Sequence, residues 1–285
     1  MKDLRKQTHK KMAHGSGHPI ATCFGILGWL FHGILSVITA GLIIMAIVGL
    51  LIYAKVKPEL DQCREIAYDK LAQMERSDFS MLSDTVVYDK AGKQIGLINA
   101  GHYQYVDISK ISMNLQNGYI AQEDRRFKSH GGVDWIATFR AGLALVKHGG
   151  HVTQGGSTIT QQLMKNEYFT QEKKLERKFA EIFAAWEFED ICDKEEIFEL
   201  YVNTIYFGSG YYGIYDAAQG YYGKDPSELT EYESIMLAGL PNAPSAYSLD
   251  TNPELARQRM KQVLNRMVEC EVLSQTEADS IFYAG

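Results

Sequence analysis

The hydrophobic and polar positions change rhythm along the chain. From Ile34 to Tyr53 the text ILSVITAGLIIMAIVGLLIY is apolar at nearly every position and holds no charge. At about 1.5 Å per residue, roughly 20 such residues span a hydrocarbon core of about 30 Å. Apolar residues continue upstream through Phe24, Ile26, Leu27, Trp29, Leu30 and Phe31, so the helix can start earlier and tilt. The pattern predicts a transmembrane anchor over residues 19–54. A cleaved signal peptide fits less well, because the run exceeds a typical apolar region of about 7–15 residues and no A-x-A site follows it.

Beyond the anchor the period becomes that of a folded domain. Residues 55–83 carry charges on most turns without a strong core stripe and predict a helical stalk. Val86, Val87 and Tyr88 read as a strand, Ala91-Gly92 as a turn, and Ile95 to Ile98 as the return strand of a small hairpin. From Ile108 onward the spacing is helical, with helices predicted near 115–126, 134–147, 158–166, 172–190, 193–203, 213–221, 231–239 and 253–268. The expected fold is therefore mainly α: residues 84–285 form a helical domain with a small N-terminal β-hairpin, preceded by one membrane helix.

Charge sharpens this division. Residues 1–18 hold Lys2, Arg5, Lys6, Lys10 and Lys11 against Asp3, residues 19–54 hold no charge, and the chain as a whole carries −6. The tail is therefore +4 and the part after Ala54 is −10. A basic tail before the helix predicts a cytoplasmic N-terminus and an extracytoplasmic domain. An acidic domain argues against nucleic-acid binding. Cys63, Cys192 and Cys270 are widely spaced and form no CxxC, so isolated buried thiols are expected rather than a metal site.

Four clusters can carry chemistry. In Glu123-Asp124-Arg125-Arg126-Phe127, followed by His130, Gly131, Gly132 and Asp134, a carboxylate beside a sharp helix end can serve as a general base. In Gly155-Gly156-Ser157-Thr158-Ile159-Thr160-Gln161-Gln162-Leu163-Met164-Lys165-Asn166, the Gly pair predicts a tight turn and Ser157 a helix cap. The free N–H groups behind that cap could hold an anion. In Arg177-Lys178-Phe179-Ala180-Glu181, a predicted buried stripe of Leu175, Phe179, Ile182 and Trp186 puts Arg177 and Glu181 on the opposite face. The fourth, Lys194 to Lys224, is rich in tyrosine and glycine, with Glu196 and Glu199 expected to be structural. Each cluster also has a plain structural reading: a solvated charge run, a capped surface helix, an i,i+4 ion pair, an aromatic core. Two separated glutamates plus a set of cations suggest sugar chemistry at a phosphorylated leaving group, with hydrolysis and transfer both open.

Taken together, the strings AQEDRRFKSHGGVDW, GGSTITQQLMKN, RKFAE, KEEIFELYVNTIYFGSGYYGIYDAAQGYYGK and SELTEYESIMLAGLPNAPSAYSL resemble the peptidoglycan glycosyltransferase family in order and spacing over about residues 84–270. That family comprises monofunctional transglycosylases and the N-terminal domain of class A penicillin-binding proteins. The resemblance implies a lysozyme-like, two-lobed helical domain that polymerises lipid II into a β-1,4 glycan by inverting transfer. The donor is the growing lipid-linked glycan chain, and undecaprenyl pyrophosphate is released. It implies Glu123 as the general base and Glu181 near the donor pyrophosphate, acting directly or through a divalent cation, Mg or Mn. It also implies Lys165, Arg177 and Lys178 as neutralising cations, with Asp124, Ser157, Gln161, Gln162 and Asn166 as further substrate-binding residues. No cofactor is required with certainty. The partners it implies are the membrane, other cell-wall synthesis proteins and moenomycin-type inhibitors.

Between the first two clusters, Trp135, Phe139, Leu143 and Val146 share a helix face with Arg140, Lys147 and His148 nearby. An interfacial helix there would admit lipid-linked substrate from the bilayer, and a plain core helix is its alternative. Two departures from the family pattern are Tyr201-Val202-Asn203 and the acidic text FEDICDKEE, whose Glu189, Asp190 and Asp193 would alter the rim of the cleft. No SxxK occurs, so a penicillin-binding transpeptidase nucleophile is not expected, and a monofunctional enzyme is. The competing readings are a glycan hydrolase or lytic transglycosylase, which has no need of the cation set, and an inactive scaffold in cell-wall assembly.

Overall fold

A computed structural model describes residues 19–74, 85–90, 93–98, 104–149, 155–169 and 175–285. The basic tail and the Ala91-Gly92 turn lie outside the described residues. Packing divides the chain into two units, Met1–Glu59 and Leu60–Gly285. Helix α1, Pro19–Ala72, contributes to both.

In the first unit, the large apolar side chains from Phe31 to Tyr53 for which burial is described are exposed. Among the described residues one helix is long and apolar enough to cross a membrane. Its hydroxyls behave as lipid requires: Ser36 donates to the His32 carbonyl at 2.8 Å and Thr39 to the Leu35 carbonyl at 3.0 Å.

The second unit begins with the last turns of α1. Cys63 and Ala67 are buried, and Leu71 and Met74 pack on the same core. Tyr68 donates to Glu187 at 2.9 Å. The expected stalk without a core stripe is thus corrected. A stripe exists, but two of its positions are Cys and Ala, whose small side chains give a weak apolar signal.

Strands β1 (Thr85–Tyr88) and β2 (Gln94–Ile98) form the expected antiparallel hairpin, with Val86 opposite Leu97. Asp89 closes it, accepting from the Lys93 amide at 2.9 Å. The rest is helical: α2 (Met113–Glu123), α3 (Trp135–Lys147), α4 (Ile159–Tyr168), α5 (Leu175–Ile191) and α6 (Lys194–Thr204). A two-stranded ribbon follows, β3 (Tyr206–Gly208) and β4 (Tyr211–Tyr212), then α7 (Gly213–Tyr222), α8 (Glu231–Gly239), the short α9 (Pro244–Tyr247), α10 (Pro253–Glu269) and α11 (Gln275–Phe282). Each predicted helix is present, and the fold is mainly α as expected. Helices α9 and α11 are additions to the predicted set, and α11 is started by local chemistry, a Ser274–Glu277 capping box.

The helices of this unit form two packed groups: α2 with α8 and α10, and α4 with α5 and α6. Tyr119 of α2 joins them. It is fully buried and makes edge contacts with Phe198 and Tyr201 of α6 and Phe207 of β3, at centroid distances of 6.0, 5.8 and 6.4 Å. Helix α3 belongs to neither group and buries no residue. Trp135, Phe139, Leu143 and Val146 are all exposed, Val146 at 80%, so the core-helix alternative fails.

Truncating the residue that joins the two groups should be costly. Tyr119→Ala is expected to lower stability by about 3–5 kcal/mol. Tyr119→Phe should cost about 1 kcal/mol or less, because the hydroxyl makes a long 3.4 Å contact with the Leu237 carbonyl. Denaturant titration in detergent distinguishes the two.

Candidate active site

A cavity of about 680 Å³ opens where α2 ends, lined by Glu123, Asp124, Arg125, Arg126, Asp134, Arg140, Gly155, Gly156, Ser157, Thr158, Gln162, Asn242, Arg259 and Arg266 among others. It is walled by arginines on several elements and by three carboxylates, one of which stands at the end of α2.

That carboxylate is Glu123, the last residue of α2. Arg259 donates to its Oε1 at 3.2 Å and Gln162 to its Oε2 at 3.4 Å. Tyr201 donates to Gln162 Oε1 at 3.1 Å, which turns the amide nitrogen toward Glu123. The side chain is 15% exposed. Burial pushes its pKa up; Arg259 and Gln162 pull it back, and the neighbouring Asp124 raises it.

Asp124 lies on the cavity wall, but its side chain is engaged within the chain. Its carboxylate is almost wholly buried, 2.8 Å from His130 Nε2, and accepts from the Ile159 amide at 3.0 Å. The helix start expected to hold a bound anion is therefore already occupied by one belonging to the chain. The cap also differs from expectation. Thr158, not Ser157, caps α4 and forms a capping box with Gln161. Gln161 is buried and accepts from the Thr158 amide at 2.9 Å, so its side chain is spent on the fold. Nor does the Gly pair form the expected tight turn: Gly155 and Gly156 lie in irregular backbone without a positive φ. Gly156 instead lets the chain pass against Ala137, Thr138 and Ala141 of α3.

A buried network stands behind Asp124. With Nε2–H of His130 donated to Asp124, Nδ1 is left to accept from Lys194 Nζ at 3.4 Å. Lys194 pairs with Glu189 at 2.5 Å, and Thr160 donates to Glu189 at 2.6 Å. Glu189 was expected on a cleft rim; its side chain is 7% exposed and belongs to this network. Asp193 caps α6 with Glu196 completing the box, and Glu199 accepts from Tyr105 and the Ile108 amide. Glu196 and Glu199 are structural, as expected.

Helix α5 does not bury the predicted stripe: two of its four positions are exposed, Ile182 is half-buried, and the side chain of Leu175 lies outside those described. Phe179 and Trp186 are 40% and 51% exposed, while Ala180, Glu181, Ala184, Ala185 and Phe188 are buried. The alanines allow α5 to lie close to its neighbours; Gly132, at φ +79°, packs directly on the Ala185 carbonyl, where no Cβ fits. The cost of burying Glu181 is offset by Lys178 Nζ and Arg177 Nε, each 3.0 Å from a carboxylate oxygen. Both carboxylate oxygens of Glu181 thus face cations of its own helix.

Of the expected site residues, Glu123, Asp124, Ser157 and Gln162 lie on the cavity wall, and Gln161, Lys165, Asn166, Arg177, Lys178 and Glu181 do not. Lys178 joins the two sets, donating to Ser157 at 3.0 Å. Lys165 is half-buried on α4 and Asn166 is exposed. Sequence reasoning missed Arg259, Arg266 and Asn242. Arg259 and Arg266 are seven residues apart on a predicted helix and so share a face, a signal that was available.

The contrast between buried and surface charge is testable. Asp124→Ala strands His130 and the Ile159 amide and should cost about 3–5 kcal/mol. Glu269→Ala, removing an exposed partner of Arg125 and Arg266, should cost about 1 kcal/mol or less. Thermal melts of the purified variants would show it.

Known proteins give this arrangement a context. Residues 91–268 match the transglycosylase family. Penicillin-binding protein 1A of Aquifex aeolicus is 46% identical over 183 residues, 64% of this chain and 25% of that protein. Penicillin-binding protein 1A of Neisseria cinerea is 38% identical over 261 residues, 91% of this chain and 30% of that protein. A Cupriavidus necator protein named as a candidate transglycosylase is 45% identical over 175 residues, covering 61% of this chain and 75% of that one. A crystal structure of penicillin-binding protein 1A from Haemophilus influenzae aligns with a TM-score of 0.40 and 22% identity, over 71% of this chain and 20% of that one. The chain spans roughly a quarter to a third of the penicillin-binding relatives. With the family match running through both the cavity wall and the Glu181 cluster, the chain belongs to the transglycosylase family.

Proposed function

We propose that this chain is a peptidoglycan glycosyltransferase, polymerising lipid II into β-1,4-linked glycan with inversion. The observation that carries the reading is the setting of Glu123: a largely buried carboxylate of raised pKa on the wall of an arginine-lined cavity. A hydrolase acting on a neutral glycan has no use for such a wall.

In this reading Glu123 takes the proton from the acceptor sugar hydroxyl. That oxygen bonds to the anomeric carbon of the donor glycan chain, and the bond from that carbon to pyrophosphate breaks. The electron pair leaves with undecaprenyl pyrophosphate. Fixed cations stabilise the charge that develops there: Lys165, Arg177 and Lys178, with Glu181 holding the last two in place. Ser157, Gln162 and Asn166 would contact phosphate and sugar. Asp124 and Gln161, both consumed by the start of α4, support the site rather than bind substrate.

The membrane supplies the substrate. Helix α1 anchors the chain by a single pass with its N-terminus in the cytoplasm, as the basic tail favours. The exposed apolar face of α3, with Arg140 and Lys147 beside it, lies in the headgroup region, where lipid-linked chains can enter sideways. Moenomycin-type phosphoglycolipids should compete for the same cavity, and other cell-wall synthesis proteins would work alongside.

Purified protein in detergent should convert lipid II into glycan ladders, and Glu123→Gln should lower the rate by about 10²–10⁴-fold while leaving the fold intact. Absence of ladders from the folded wild type, or cleavage of finished glycan instead, would replace this reading with the scaffold or the hydrolase. Because the base must be ionised and burial raises its pKa, kcat/KM should fall on acidification at a higher pH than an ordinary carboxylate would give, about 4.3. A pH–rate profile checks the sign.

A further inference from the structure

Among the arginines of the cavity wall, one is built differently. Arg125 and Arg266 have side chains 44% and 46% exposed and share Glu269 at the surface. Arg259 is 8% exposed and held on every side. Its Nε donates to the Gly239 carbonyl at 3.3 Å, and Nη1 donates to Gln262 at 3.0 Å. Nη2 donates to Glu123 at 3.2 Å. The carboxamide of Gln122 matches its neighbours only with its oxygen assigned toward the guanidinium, where it accepts from Nη2 at 3.0 Å and Nη1 at 3.3 Å. The ring of Tyr247 lies 5.7 Å from the guanidinium carbon. A guanidinium has five N–H groups, and here all five have acceptors within the chain. It has none left to offer an incoming phosphate.

We propose that Arg259 is a positioning residue of the transfer reaction, the built-in counter-ion that α10 supplies to Glu123, and not a ligand of the substrate. This rests on reading Glu123 as the base. The physical need is plain. A carboxylate at this depth loses hydration, which favours its neutral form, and a neutral carboxyl cannot take a proton. One fixed positive charge at 3.2 Å opposes that tendency. The other groups facing Glu123 do not substitute for it. Gln162 of α4 donates one neutral hydrogen bond, Asp124 beside it adds negative charge, and Tyr119 of α2 and Tyr201 of α6 are neutral phenols whose own pKa values burial drives up.

The test uses the full chain in detergent with lipid II, comparing wild type, Arg259→Met, Arg259→Lys and Glu123→Gln. Arg259→Met should move the acidic limb upward, lowering kcat by up to about tenfold per unit of displacement at pH values below both limbs and by less near neutral pH, recover rate as pH rises, and leave KM within about threefold. Arg259→Lys retains a charge without the planar fork and should show a smaller displacement of the same sign; it also serves if the Met variant does not fold. A KM that rises with the acidic limb unmoved would overturn the proposal and make Arg259 a substrate ligand. Carboxyl ¹³C NMR titration of Glu123 gives a readout without turnover: an unchanged titration in the Arg259 variants sinks the counter-ion role. Activity surviving in Glu123→Gln would sink the base reading instead, so the two failures are separable.

Discussion

The rest of the site depends on one carboxylate, Asp124, bound at the start of α4. A helix N-terminus presents unpaired amides and partial positive charge, and the Ile159 amide meets Asp124 at 3.0 Å. Since Asp124 is also the cap that ends α2, one side chain fixes the end of one helix against the beginning of another. Glu123 and Gln162 project from those two ends toward each other. The cavity is thus shaped by a bond that no ligand makes.

The chain places several carboxylates out of water and supports each differently. Glu181 has two cations from its own helix, one turn away. Glu189 has a cation from the next helix and a hydroxyl from α4. Glu123 has a single guanidinium brought in from α10. A buried charge left without its partner costs several kcal/mol, so such pairs specify how helices meet as well as what the site can do. The first carboxylate is self-sufficient within a helix, and the others exist as paired ions only once the domain has folded.

Surface apolarity follows the same division. The large side chains of α3, and Phe179 and Trp186 on α5, stay exposed, while α5 packs through Ala180, Ala184, Ala185 and Phe188. Alanine and glycine surfaces let helices approach closely; bulky faces are left for another environment. An apolar run marks a face that avoids water, and its chemistry alone does not say whether protein or lipid will cover it.

Element type and extent were legible in the residues themselves, because helical period, caps and breakers act over a few positions: the hairpin and each predicted helix are where the pattern put them. Membrane-spanning character was equally local, a matter of length and missing charge. So was the pairing of Arg177 with Glu181, four residues apart on one helix. What needed the tertiary structure was everything decided between elements. Which face of α5 turns inward was settled by its contacts, where Ala184, Ala185 and Phe188 are buried and Phe179 and Trp186 are not. The occupation of the α4 start depended on Asp124, 35 residues away, and the partner of Glu123 came from a helix 136 residues on. Sequence spacing carries no measure of such distances. Only packing brings those charges together, and desolvation then sets their chemistry.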